Sequence, residues 1–86
     1  DFSLHSIYPN PFNPVTNIIY GLPEYSRVQI VVYDLKGKHI ETLINKYQKP
    51  GYHYAIWNGN SVPSGLYICR LSFGNQTITQ KMLLMK

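Results

Sequence analysis

One cysteine, three histidines and four carboxylates are the side chains of this sequence with the greatest capacity for covalent or acid–base chemistry. Cys69 with His5, His39 or His53 would make a thiolate nucleophile and its base. Cys69, however, sits in Leu66-Tyr67-Ile68-Cys69-Arg70-Leu71-Ser72-Phe73. With Arg70 facing water, a period of two turns Tyr67, Cys69, Leu71 and Phe73 inward, and the cysteine reads as a small buried hydrophobe. The histidines are far apart and show no paired metal-ligand spacing, and a single cysteine gives neither a disulfide nor a Cys-based metal site. Asp1, Glu24, Asp34 and Glu41 would form a glycosidase-type pair only if folding happened to bring two of them together. Asp34 stands beside a turn, where a carboxylate caps backbone N–H groups. No Gly-rich phosphate loop is present, and Asn75-Gln76-Thr77, which fits a glycosylation acceptor, is given no functional weight. The chain is therefore expected to be no enzyme, with no cofactor and no metal.

Aromatic residues offer a binding chemistry instead. Tyr25, Tyr33, Tyr47, Tyr52, Tyr54 and Trp57 could stack on the apolar faces of sugar rings. Sheets favour aromatics for packing reasons alone, and Trp57 closes a strand where it would fill an inter-sheet core. A row of tyrosines left exposed by folding would favour the sugar platform.

The elements that must position these residues are short strands separated by Gly, Pro and Asn clusters, with no sustained helical period. Phe2-Ser3-Leu4-His5 reads as an edge strand. Tyr8-Pro9-Asn10-Pro11-Phe12-Asn13-Pro14 follows, a stiff irregular crossing between sheets, because three prolines in six residues exclude a central strand. Thr16, Ile18, Tyr20 and Leu22 share one face of the next run, opposite Asn17 and Gly21. Val28, Ile30 and Val32 point inward in the one after it. Asp34-Leu35-Lys36-Gly37-Lys38 turns the chain, with Gly37 placed for a positive φ. Residues 39–43 return with Ile40 inward, and residues 45–51 read as a water-exposed loop. Tyr52-His53-Tyr54-Ala55-Ile56-Trp57 is a strand closed by a turn at Asn58-Gly59-Asn60, and Gly74-Asn75 is a hairpin turn. Met82-Leu83-Leu84-Met85 suggests a last strand covered on both faces or docked against a neighbour. About seven antiparallel strands at this spacing predict an all-β, immunoglobulin-like β-sandwich.

At 86 residues there is room for one domain, so residues 1–86 are expected to form a single unit. Hydrophobic residues make up 44% and charged residues 14%, enough apolar surface to fold without a disulfide. The net charge of +4 comes from eight scattered cations with no basic run, which argues against a nucleic-acid groove. No apolar stretch is long enough to span a bilayer as a helix, and the first residues lack the build of a signal peptide.

Five motifs in order now point further: Tyr8-Pro9-Asn10-Pro11-Phe12-Asn13-Pro14; Val32-Tyr33-Asp34-Leu35-Lys36-Gly37-Lys38; Gly51 through Trp57-Asn58-Gly59; Ser64-Gly65-Leu66-Tyr67; and Lys81-Met82-Leu83-Leu84-Met85-Lys86. Together they resemble the C-terminal sorting domains of the type IX secretion system, over nearly the whole chain. Similar motifs occur in the immunoglobulin-like domain of flagellar hook-capping proteins. The short segment between Trp57 and Ser64 leans towards the sorting family, whereas Cys69 stands where that family often carries an aromatic. The resemblance implies a non-catalytic module at the end of a larger secreted protein. It would be recognised after periplasmic folding by an outer-membrane translocon, and often removed by an associated peptidase cutting upstream. The terminal residues Lys81, Met82, Leu83, Leu84, Met85 and Lys86 are the expected recognition strand, its edge free to be read by strand addition. The alternative on the same fold is an accessory spacer or carbohydrate-binding module of an extracellular enzyme.

Overall fold

The structure, a computed structural model, describes residues 3–86; the expectations that fall on Asp1 and Phe2 lie outside the described residues. Seven strands follow in chain order: β1 (Ser3–Tyr8), β2 (Val15–Leu22), β3 (Ser26–Asp34), β4 (His39–Gln48), β5 (Gly51–Asn58), β6 (Gly65–Phe73) and β7 (Gln76–Leu84). They pair antiparallel in two packed sheets, β1-β2-β5 and β4-β3-β6-β7, as the expected immunoglobulin-like sandwich. The fourth strand pairs with β3 rather than joining the first sheet, which gives three strands against four.

Alternation builds the core. Thr16, Ile18, Tyr20, Leu22, Ala55 and Trp57 face inward from one sheet, and Val28, Ile30, Val32, Tyr67, Cys69, Leu71, Phe73, Met82 and Leu84 from the other, all buried. These are the inward faces that period two assigned to β2, β3 and β6. Thr16 is the buried polar exception, and its hydroxyl donates to the Pro9 carbonyl at 2.6 Å. Gly37 takes φ 86°, and Asp34 accepts the N–H groups of Lys36 and Lys38 at 2.9 Å each, so that turn is as expected. Gly74 and Asn75 close the β6–β7 hairpin, Gly74 at φ 57° in the first central position that glycine prefers.

Three expectations change. Residues 45–51 are not a loop: β4 runs to Gln48, and its second half pairs with β3 from Ile44 opposite Ile30 to Gln48 opposite Ser26. β4 is an edge strand, so one side and one face stay in water, and polar side chains there mimic a loop composition. Lys46 even stands opposite the buried Val28 while remaining exposed, a charged blunting of the edge. The proline-rich segment does not cross between sheets, because β1 and β2 are neighbours in one sheet; it leans across to the other sheet through Phe12. Met82 and Leu84 are buried, but Leu83 is half-exposed and Met85 is 55% exposed, so the terminal run is covered on one face only. The turn at Asn58-Gly59-Asn60 is as expected, with Asn58 Oδ1 accepting the Asn60 N–H at 2.9 Å, and Gly59 is needed there for space, since a Cβ would lie 2.9 Å from Leu84 Cδ2. Leu84 is itself buried and cannot swing away, so Gly59→Ala is expected to cost about 1–3 kcal/mol, read as a lower urea midpoint at an unchanged slope.

Burial decides the fate of the cysteine. Desolvation pushes the Cys69 thiol up to about 12, from 9.0 in water. A raised pKa means that folding holds the protonated form, so this contribution is whole below pH 9 and is lost as pH climbs towards 12. Tyr20 and Tyr67 are also raised, chiefly by desolvation, with the Asp34 charge adding at Tyr67, and they act in the same direction at higher pH. Stability should therefore fall above pH 9 by up to about 1.4 kcal/mol per pH unit through Cys69. Urea melts at pH 8 and 10.5 check this: Cys69→Ala lowers the midpoint at pH 8 and flattens the further loss at 10.5.

Candidate functional site

Seven antiparallel strands carry the chain from one end of the sandwich to the other. Three connections gather with the last residues at the same pole: residues 9–14 between β1 and β2, residues 35–38 between β3 and β4, and residues 59–64 between β5 and β6. The register confirms the level, since Val15 stands opposite Asn58 in one sheet, while Asp34 faces Tyr67 and Tyr67 faces Met82 in the other. Of the five motifs, only Gly51 falls at the far pole, at φ 118° where β5 begins.

The terminal strand is the centre of this pole, clasped from three directions. Asn10 lies along the outer edge of β7, its amide nitrogen donating to the Lys81 carbonyl and its amide oxygen accepting from the Leu83 N–H, both at 3.0 Å. Its side chain stands in for a peptide group. Phe12 continues with backbone bonds, donating to the Leu83 carbonyl at 3.0 Å and accepting from the Met85 N–H at 2.9 Å, and its residue bridges Leu84 in parallel sense. From the other side, Ser64 Oγ accepts the Lys86 N–H at 3.0 Å, and Lys86 Nζ donates to the Asn60 carbonyl at 2.9 Å. Below, Gly59 donates to the Pro14 carbonyl at 2.8 Å.

An aromatic cluster supports the clasp. The Trp57 ring lies 5.5 Å from Phe12 and 5.2 Å edge-on from Tyr67, and its Nε1 donates to Glu41 across the sheets at 3.2 Å. Tyr67 donates its hydroxyl to the Pro63 carbonyl at 2.6 Å, which pins the loop before Gly65. Pro9, Pro11, Asn13, Tyr33, Asp34, Gly37 and Ser64 thus shape one pole whose buried members are Phe12, Trp57, Gly59, Tyr67, Met82 and Leu84. The edge expected to be free along residues 81–86 is occupied by Asn10 and Phe12. Asn60, Pro14 and Pro63 were missed by sequence reasoning because they act through backbone carbonyls, which carry no side-chain signature.

Cys69 is buried with its thiol protonated, and no group of three His, Cys, Asp or Glu among the described residues is placed to hold a metal ion. The secretion system C-terminal sorting domain is the family whose model matches, over residues 6–85. The chain belongs to that family, the sorting domains of the type IX secretion system. No curated protein matches it significantly. The sorting domain is non-catalytic and directs secretion of the protein attached to it, so its working partners are a passenger and the secretion machinery, and its destination is the medium or the cell surface.

The tyrosines divide. Trp57 is buried and takes no part in a sugar platform, and Tyr25 stacks on Tyr47 at 5.6 Å at the far pole. Tyr8, Tyr52 and Tyr54 are 65–73% exposed on the outer face of the three-stranded sheet, around a shallow groove of about 270 Å³ that also holds Asn17 and Ile19.

Proposed function

We propose that the pole on which the motifs converge, with residues 81–86 at its centre, is the surface read by the outer-membrane translocon. The passenger is carried upstream of residue 1 in a longer secreted protein, of which residues 1–86 form one domain. The translocon meets the domain after it has folded in the periplasm, and an associated peptidase removes it by cutting upstream. One observation carries this reading: β1 starts at the pole opposite to the one where β7 ends, in a body 36 Å long, so a passenger before β1 is held away from the motif-bearing surface. A folded passenger and a large receptor then do not compete for the same space.

The test replaces side chains that the fold does not need. Lys81→Ser and Met85→Ser combined should leave cooperative unfolding in place yet reduce export of a fused reporter at least about tenfold, the scale of a lost interface hot spot. Tyr47→Ser with Lys49→Ala, at the far pole, should leave export unchanged. Equal export by both variants would show that the translocon reads something other than this pole.

A second reading is favoured by the exposed tyrosines: the outer face of the three-stranded sheet contacts a neutral polysaccharide. Tyr8, Tyr52 and Tyr54 offer ring faces beside the Asn17 amide, and no lysine, arginine or carboxylate lines the groove. Retention on cellulose that disappears in Tyr52→Ala with Tyr54→Ala, with export intact, is the expected result. Equal retention of parent and variant would remove this reading.

A further inference from the structure

β7 is an edge strand, and its outer side is divided in two. Over residues 81–85, Asn10 and Phe12 take up the Lys81 carbonyl, both backbone groups of Leu83 and the Met85 N–H. In an antiparallel ladder, outward and inward backbone groups alternate. Those four outward bonds fix the parity: Thr77 and Thr79 also direct their N–H and C=O away from β6, and no chain segment among the described residues pairs with them. The free stretch of edge is therefore residues 77–80, continuous with a stretch that already accepts an added segment.

The surface beside that stretch is a groove of about 500 Å³ on the outer face of the four-stranded sheet. Tyr33, Leu35 and Ile68 give it apolar surface, and Lys36, Arg70 and Thr79 line it as well. A smaller groove shares Ile68 and Thr79 with it and reaches Lys81. Among the described residues, no side-chain partner is found for Lys36, Arg70 or Lys81. Asp34, the one carboxylate that lines the larger groove, spends one oxygen on the N–H groups of Lys36 and Lys38. Lys81 on β7 and Arg70 on β6 thus flank the open strand edge on the outer face, with Lys36 farther across the groove in the β3–β4 turn, against the single carboxylate of Asp34. Unpaired backbone supplies affinity for an extended chain, and the grooves and charges supply selection of its side chains. Positive charge calls for carboxylates in the incoming segment.

We propose that the edge of β7 at residues 77–80 accepts an extended acidic segment of the secretion machinery as an added strand, with its carboxylates against Arg70 and Lys81. The assignment of the segment to that machinery rests on the sorting role; the edge and its charge do not. The Asn10–Phe12 segment continues the same edge, so the added strand would lengthen a pairing that the fold has already begun.

The test uses the full 86-residue chain and a ten-residue synthetic peptide of alternating valine and glutamate, with its valine–lysine counterpart as control. Binding is followed by fluorescence anisotropy, and amide exchange is followed at Thr77 and Thr79. The acidic peptide should bind, slow exchange at both amides and weaken as salt rises, whereas the basic peptide should not bind. Thr79→Pro removes an outward N–H without touching the β6–β7 ladder, and should weaken binding at least about tenfold. Should that variant unfold, Arg70→Glu with Lys81→Glu gives the same expected loss on a folded surface. Equal binding of both peptides, or undiminished binding by the variants, overturns the proposal. A reporter fused to Arg70→Glu with Lys81→Glu then connects edge and export. Lost export accords with the proposal, export at parental level contradicts the assignment to the machinery, and absent export of the parent fusion would instead count against the sorting role.

Discussion

Replacing Trp57 by alanine is expected to cost the domain about 3–5 kcal/mol, the range for removing a buried aromatic that leaves an unfilled cavity. Trp57 is 1% exposed and is the largest fully buried side chain of the chain. Its ring touches three segments at once: Phe12 from the proline-rich connection, Tyr67 from β6, and Glu41 from β4 through the indole N–H. A domain of this size has only about 4–13 kcal/mol of stability in all, so the variant should be marginal at 37 °C. A urea melt followed by circular dichroism measures the loss. Trp57→Phe keeps most of the packing and loses the bond to Glu41, and should cost clearly less. A near-neutral Trp57→Ala would mean that the sheets close over the cavity without it, and that the clasp on β7 does not depend on the cluster beneath.

Truncation before Lys81 is expected to abolish export, and to do so by unfolding the domain. Residues 81–86 contain Met82 and Leu84, both buried, and losing such side chains costs about 2–5 kcal/mol each before any hydrogen bond is counted. The four bonds from Asn10 and Phe12, and those of Lys86 to Ser64 and Asn60, vanish with them. The shortened chain should show no cooperative transition. On the proposed reading the same six residues serve two purposes that a deletion cannot separate: Met82 and Leu84 fill the core, while Lys81, Leu83 and Met85 present the outward side. This is why the exposed-residue variant carries the test of recognition. Truncation that left a cooperative melt and normal export would contradict both roles at once.

The sandwich was legible in the sequence because its physics is local. Alternation in β2, β3 and β6 names the inward residues directly, and Gly37, Asp34 and Gly74 announce turns through backbone conformation or a capping carboxylate that a neighbour can satisfy. Apart from the proline-rich connection, the errors fall on the two outer strands of the larger sheet. β4 hides its second half because an edge strand needs little apolar alternation, so Asn45, Lys46 and Gln48 carry a loop's polarity in strand geometry. β7 was expected to leave its final edge open because nothing near it in sequence covers it. Asn10 does so from 71 residues away, through an amide that imitates a peptide group. Gly59 shows the same limit, since its constraint is the methyl group of Leu84 and not a dihedral angle. The candidate site was visible as a set of motifs, whereas its convergence on one pole emerged only with the strand order.

The most direct measurement fuses residues 1–86 to the C-terminus of a reporter carrying an export signal, in a bacterium with a type IX system, beside the same reporter on one of that host's own sorting domains. Reporter should reach the cell surface or medium with both fusions and disappear from there when the translocon is disabled. Reporter held in the periplasm with residues 1–86, while the host's own domain exports it, would contradict a transferable sorting function for this chain.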